Sequence, residues 1–129
     1  MIQVLSAKKY SQKLKVTIQA TGKLGFSDET ARTLRLSEGS AYVKFLKDED
    51  ADIMYMSVLY AADEDAFKVC KAGTYYYLAT AQLFNDLDID YKHTTVIYDL
   101  VRCAQLDGEF GGAVYRMNPR ILKRGGKNM

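Results

Sequence analysis

The feature that most constrains the fold is an internal repeat. Residues 13–59 and 67–117 each read as two alternating apolar segments, a short helix and two more strands. From Ser27 and Thr80 onward the two stretches align at a constant offset of 53, which also pairs Leu34 with Leu87, Leu36 with Ile89, and Val43 with Val96. The sequence therefore predicts one β-β-α-β-β unit used twice.

The repeat also predicts how the chain is organised. With 129 residues the chain has room for one core, so residues 1–129 are expected to form a single domain. Within it, an acidic joint at 63–65 separates the two units and a basic tail covers 119–129. The expected fold is α+β and mostly β: a pseudo-twofold barrel with short helices, in which each unit supplies strands that neither could bury alone.

Each predicted helix begins after a hydroxyl residue. Ser27 and Thr80 stand where an N-cap belongs, since a side-chain oxygen there can accept from the unpaired N–H groups of the first turn. The alignment therefore predicts two capped helices of similar length.

Charge is segregated along the chain, although the net charge is only +2. Residues 1–23 carry five Lys and no acid, and residues 110–129 carry five Lys or Arg and no acid. The middle holds eight basic and sixteen acidic residues. Two interpretations stay open: the ends are solvated tails, or both ends meet on one face and present positive charge to phosphates.

The first unit resembles the SpoVT/AbrB family. That family's pattern runs glycine, basic residue, alternating apolar strand and proline, followed by a helix of one to two turns and a Leu-x-Leu-x-Glu-Gly turn. The matching positions are Gly22, Lys23, Leu24, Phe26, Leu34, Leu36, Glu38 and Gly39. Ser27 replaces the proline, Arg35 replaces a glycine, and the second unit has 90–93 in place of the glycine turn.

The resemblance implies a swapped-hairpin barrel, with both units in one chain as in MraZ-like proteins, and a role as a DNA-binding transcriptional regulator or antitoxin. Lys23 is carried over by position. Lys13 and Lys15, on the strand leading into the motif, and Arg32 and Arg35, on or after the short helix, are further candidates for DNA contact. Double-stranded DNA is the expected partner, and the protein is expected to be a monomer or a homodimer.

No motif for catalysis, metal or cofactor binding is visible. His93 stands alone beside Lys92, and an acidic stretch at 48–52 lacks the central glycine and final glutamate of a calcium loop. There is no glycine-rich phosphate loop and no Cys-x-x-Cys pair. We therefore expect a protein that is not an enzyme and has no cofactor, with Cys70 and Cys103 as free thiols.

Two other functions compete with DNA binding. A single-stranded nucleic-acid-binding protein of the Whirly type could stack bases on tyrosines, and the candidates are Tyr42, Tyr55, Tyr75, Tyr76, Tyr77, Tyr98 and Tyr115. A protein-interaction module without nucleic acid could use the acidic middle. Residues 1–14 lack the apolar core of a signal peptide and no stretch has 18 continuous apolar residues, so a cytoplasmic protein without membrane contact is expected.

Overall fold

The computed structural model describes residues 1–5, 7 and 13–123. In this part of the chain nine strands form one antiparallel sheet: Leu14–Ile18 (β1), Leu24–Phe26 (β2), Tyr42–Asp48 (β3), Ile53–Leu59 (β4), Phe67–Lys68 (β5), Cys70–Ala72 (β6), Tyr75–Leu78 (β7), Thr94–Arg102 (β8) and Ala113–Lys123 (β9). Two short α-helices, Asp28–Thr33 (α1) and Ala81–Asp86 (α2), and a 3₁₀ turn at Ala104–Leu106 accompany them. The prediction of a mostly-β protein with short helices is confirmed.

The sheet curls into a nearly closed barrel. Its strand order is β5-β3-β4-β9-β8-β1-β2-β7-β6, so the two end strands, β5 and β6, are consecutive in the chain. Only Val69 separates them, and its N–H donates to the Ala41 carbonyl at 2.9 Å. The chain itself therefore joins the two ends of the sheet.

The strands of the two halves are interleaved. The first hairpin, β1 and β2, lies between β8 and β7 of the second half, while β5 pairs with β3 of the first half. The last strands of the halves, β4 and β9, pair with each other. The strands of either half taken alone therefore do not form one continuous sheet.

The turn after each helix has the same backbone geometry. Arg35 and Asp88, which follow α1 and α2 at equivalent positions, have φ of +54° and +57°. The N–H of the next residue closes each turn, from Leu36 to Ala31 O at 3.0 Å and from Ile89 to Phe84 O at 3.0 Å. This is a Schellman C-cap, which places one residue in the left-handed region that favours glycine. Arg35 thus occupies the conformation that the glycine of the family pattern would adopt.

The core lies inside the barrel and follows the alternation of the strands. Val16, Val96 and Met117 point inward from three neighbouring strands. Phe84 of α2 is fully buried and packs edge-on against Phe45, with ring centroids 6.1 Å apart. Tyr98 also points inward, and burial raises its pKa to about 12.

The two predicted N-caps have different outcomes. The Thr30 N–H donates to Ser27 Oγ at 3.3 Å, so the cap of α1 is confirmed. Thr80 does not cap α2, because its hydroxyl donates instead to the Gly22 carbonyl at 3.0 Å and to the Leu78 carbonyl at 3.3 Å. A contact with a residue 58 positions away replaces the local one, so the prediction for Thr80 was wrong.

The last strand is longer than predicted. The sequence places it at 113–117, but β9 continues to Lys123, so residues 119–123 of the predicted tail belong to the sheet. Residues 124–129, together with Lys8 and Lys9, lie outside the described residues.

Cys70 and Cys103 are free thiols, as predicted. No helix in the described ranges is long and apolar enough to cross a membrane.

Candidate nucleic-acid interface

The outer face of β1 carries lysines because the strand alternates. Val16 and Ile18 are buried in the core, so Lys15 and the preceding Lys13 project outward, and both are exposed. Lys15 lies opposite Asp99 of β8, and Asp99 lies opposite Asn118 of β9. One outward row therefore runs across three neighbouring strands.

The same face of β9 carries arginines. Arg116 and Arg120 flank Asn118 at alternate positions and are exposed, whereas Tyr115 and Met117 point into the core. Only β8 separates β9 from β1, so the two strands are about 10 Å apart. Within the described residues, both basic ends of the sequence thus meet on one face, which is the second of the two interpretations of the charge distribution.

Asp99 is the one acidic side chain at the outward positions of β1, β8 and β9. It accepts two hydrogen bonds from Arg120, from Nε at 2.6 Å and from Nη2 at 3.1 Å. This bidentate hydrogen bond raises the pKa of Arg120 and fixes the orientation of its guanidinium group. Asp99 therefore holds one cation in place while leaving positive charge in excess around it.

Lys23 lies on the adjoining part of the face, at the start of β2. Its Nζ is 4.7 Å from the centre of the Tyr77 ring, and Tyr77 stacks on Tyr75 with centroids 6.1 Å apart. Tyr75 covers Gly25, where a Cβ atom would stand 1.8 Å from the tyrosine oxygen. Because Gly25 has no side chain, Tyr75, stacked on Tyr77, can pack against β2.

We call the exposed cations on these strands and next to them the basic face: Lys13, Lys15, Lys23, Arg116 and Arg120.

The other two predicted residues lie elsewhere. Arg32 and Arg35 belong to α1 and its C-terminal turn, outside the sheet, and line an open cleft of about 490 Å³ with Asp28 and Tyr76. The Nζ of Lys71 is 5.5 Å from the centre of the Tyr76 ring. Lys13, Lys15 and Lys23 thus lie on the outer side of the first hairpin, whereas Arg32 and Arg35 lie on α1 and its turn. This helix is held beside β1 by the Lys15 N–H, which donates to Thr30 Oγ1 at 2.8 Å.

One group of acidic residues lies around β3. Asp63 of the predicted joint forms an ion pair with Lys44 of β3, with the atoms 2.8 Å apart, and Lys44 holds the pKa of Asp63 below its usual value. The turn between β3 and β4 adds Asp48, Glu49, Asp50 and Asp52. Three strands, β4, β9 and β8, separate β3 from β1 in the sheet order. These acids are therefore remote from β1 and β2, while only β4 separates β3 from β9, the other part of the basic face.

Arg116 and Arg120 were not among the predicted contact residues. Their signal in the sequence was the acid-free C-terminal segment, but nothing there indicates that β9 lies one strand from β1.

His93 is exposed beside Asp90, with its Nδ1 3.0 Å from the Asp90 Oδ1. In the ranges that the structure describes, no group of three or more His, Cys, Asp or Glu side chains is placed to hold a metal ion.

Comparison with known proteins adds no relative. No family model, curated protein or solved structure matches the chain.

Proposed function

We propose that this protein binds double-stranded DNA on its basic face, as a transcriptional regulator or an antitoxin-like protein. The observation that carries the proposal is the meeting of the two basic ends on one side of the barrel, with a single acid, Asp99, among them. Clustered positive charge on one face is the electrostatic footprint of a nucleic-acid-binding protein.

We also propose that the barrel is an AbrB-like duplication with swapped hairpins. The first half has the element order of the predicted unit, and the second half has it with its first strand divided into β5 and β6. First strands pair with third strands of the other half on both sides: β1 with β8, and β5 with β3. The left-handed residues Arg35 and Asp88 stand 53 positions apart, which is the offset of the sequence alignment. Three independent features thus support one architecture.

Binding would work through phosphate neutralisation. Lysines and arginines on the basic face displace the cations condensed on DNA, so affinity falls steeply as salt rises. Arg120, held by Asp99, and Lys23, held over Tyr77, are already oriented before DNA arrives. Preformed side-chain positions lower the entropy cost of forming those contacts.

The packing of the tyrosines favours duplex over single-stranded nucleic acid. Stacking of bases needs exposed aromatic rings, but Tyr75 and Tyr77 stack on each other and Tyr76 packs against the core. Tyr98 and Tyr115 are buried. Tyr42 and Tyr55 are half-buried, so five of the seven candidate tyrosines are buried or packed against other side chains.

The position of the acidic residues also bears on the alternative of a protein-interaction module. An acidic body would repel DNA if its charge lay beside the cations. The ion pair of Asp63 with Lys44 lies on the β3 side of the barrel, and Asp99 is the one acid at the outward positions of β1, β8 and β9, so positive charge stays in excess there.

Mobility-shift titrations of the protein with a short duplex and with one of its separated strands test this proposal. We expect tighter binding to the duplex. Three to five neutralised phosphates would weaken duplex binding roughly 40- to 500-fold between about 50 mM and 200 mM salt. Tighter binding to the single strand would favour the stacking alternative, and no binding to either would contradict the proposal.

A further inference from the structure

A second candidate site is a cavity at one end of the barrel. It encloses about 450 Å³, and its floor is formed by the inward side chains of the sheet, among them Met54, Met117 and Tyr98. Leu87 and Ile89, from the turn after α2, form one wall. This volume is in the range of small-molecule sites in proteins, and the lining is largely apolar, as such sites usually are.

The apolar side chains of the turn after α2 are less buried than those of the turn after α1. Leu34 and Leu36 are only 1% and 7% exposed, whereas their counterparts Leu87 and Ile89 are half-buried. In the first half Tyr60 donates a hydrogen bond to the Leu34 carbonyl and lies against that turn. At the mouth of the cavity Ile121 is 66% exposed. Apolar side chains thus stay partly uncovered around this cavity.

The charge at the rim indicates what kind of molecule fits. Three acids, Asp52, Asp88 and Asp90, line the opening against one cation, Lys47. The Nζ of Lys47 is 3.8 Å from Asp52, and Asp90 accepts from the N–H of His93 at 3.1 Å. The rim therefore has an excess of negative charge above an apolar floor.

We propose that this cavity binds a small apolar molecule that carries a positive charge at one end. Its apolar part would lie against Met54 and Met117, and its charged end would lie near Asp52 and Asp88. The site lies at the end of the barrel and uses none of the residues of the basic face, so it does not depend on DNA binding.

The probe for this test is n-octylammonium, compared with octanol and octanoate of the same chain length. In a protein with ¹³C-labelled methionine methyl groups, we expect octylammonium to shift the signals of Met54 and Met117. The signal of Met56 should stay in place, because that side chain is fully buried and does not line the cavity. Affinity should decrease from octylammonium to octanol to octanoate.

Two variants separate the apolar and the charged contributions. Asp52→Asn with Asp88→Asn should lower octylammonium affinity roughly three- to tenfold and leave octanol binding unchanged. Asparagine suits both positions because their φ values are +52° and +57°. Ile89→Trp, which places a larger side chain in the cavity wall, should weaken binding of both probes. Unmoved signals of Met54 and Met117, or octanoate binding as tightly as octylammonium, would overturn the proposal.

Discussion

Replacement of Lys13, Lys15 and Lys23 together by Glu is expected to weaken duplex DNA binding by at least about 100-fold. The three lysines are exposed on the basic face, so the change removes three phosphate contacts and adds three repelling charges. The salt dependence should become shallower by about three units in the plot of log affinity against log salt concentration. Mobility-shift titrations at several salt concentrations measure both quantities.

A matched variant separates position from net charge. Lys47, Lys68 and Lys92 are also exposed but lie outside the basic face, on β3, on β5 and before β8. Their replacement by Glu changes the net charge equally and should alter duplex affinity far less than the first set. Because all six lysines are at the surface, neither variant should unfold the protein. Equal losses in both variants would show that net charge, and not the basic face, determines binding.

Replacement of Phe84 by Ala is expected to lower the free energy of unfolding by about 3 to 5 kcal/mol. Phe84 is fully buried between α2 and the barrel, where its ring meets that of Phe45 edge-on. The smaller side chain loses this packing and leaves a void that the interleaved strands cannot easily close. Urea denaturation monitored by circular dichroism measures the change.

Phe110→Ala is the control for this prediction. Phe110 is 36% exposed in the connection between β8 and β9, so its removal should change the free energy of unfolding by about 0.5 kcal/mol or less. A loss below about 1 kcal/mol for Phe84→Ala would mean that α2 contributes little to the core.

The order of strands and helices could be predicted from the sequence because each element depends on residues close to it in the chain. Alternation of apolar residues identifies the strands, and the offset of 53 aligns the turns after both helices. The same backbone hydrogen bonds occur there, from Leu36 to Ala31 and from Ile89 to Phe84. Apolar spacing and turn residues depend on neighbours within a few positions, so a single sequence shows them.

Contacts between distant segments could not be predicted in this way. The hydroxyl of Thr80 was assigned to a local cap, but its partner Gly22 comes from the other half. The charges of β9 were interpreted as a tail, although Arg120 lies within the strand and reaches Asp99 across the sheet. The strand that pairs with β1 is determined by the way the two halves interleave. The spacing of apolar residues along the sequence does not indicate this pairing.

The central claim is that DNA lies on the basic face, and mapping of backbone amide signals during a titration with duplex DNA tests it most directly. We expect the largest shifts along β1, at the start of β2 and at the outward positions of β9, around Lys15, Lys23 and Arg120. Signals of β3, β5 and the acidic turn 49–52 should stay nearly unchanged. Shifts concentrated on β3 and β5, or in the cleft of Arg32 and Arg35 alone, would contradict the claim.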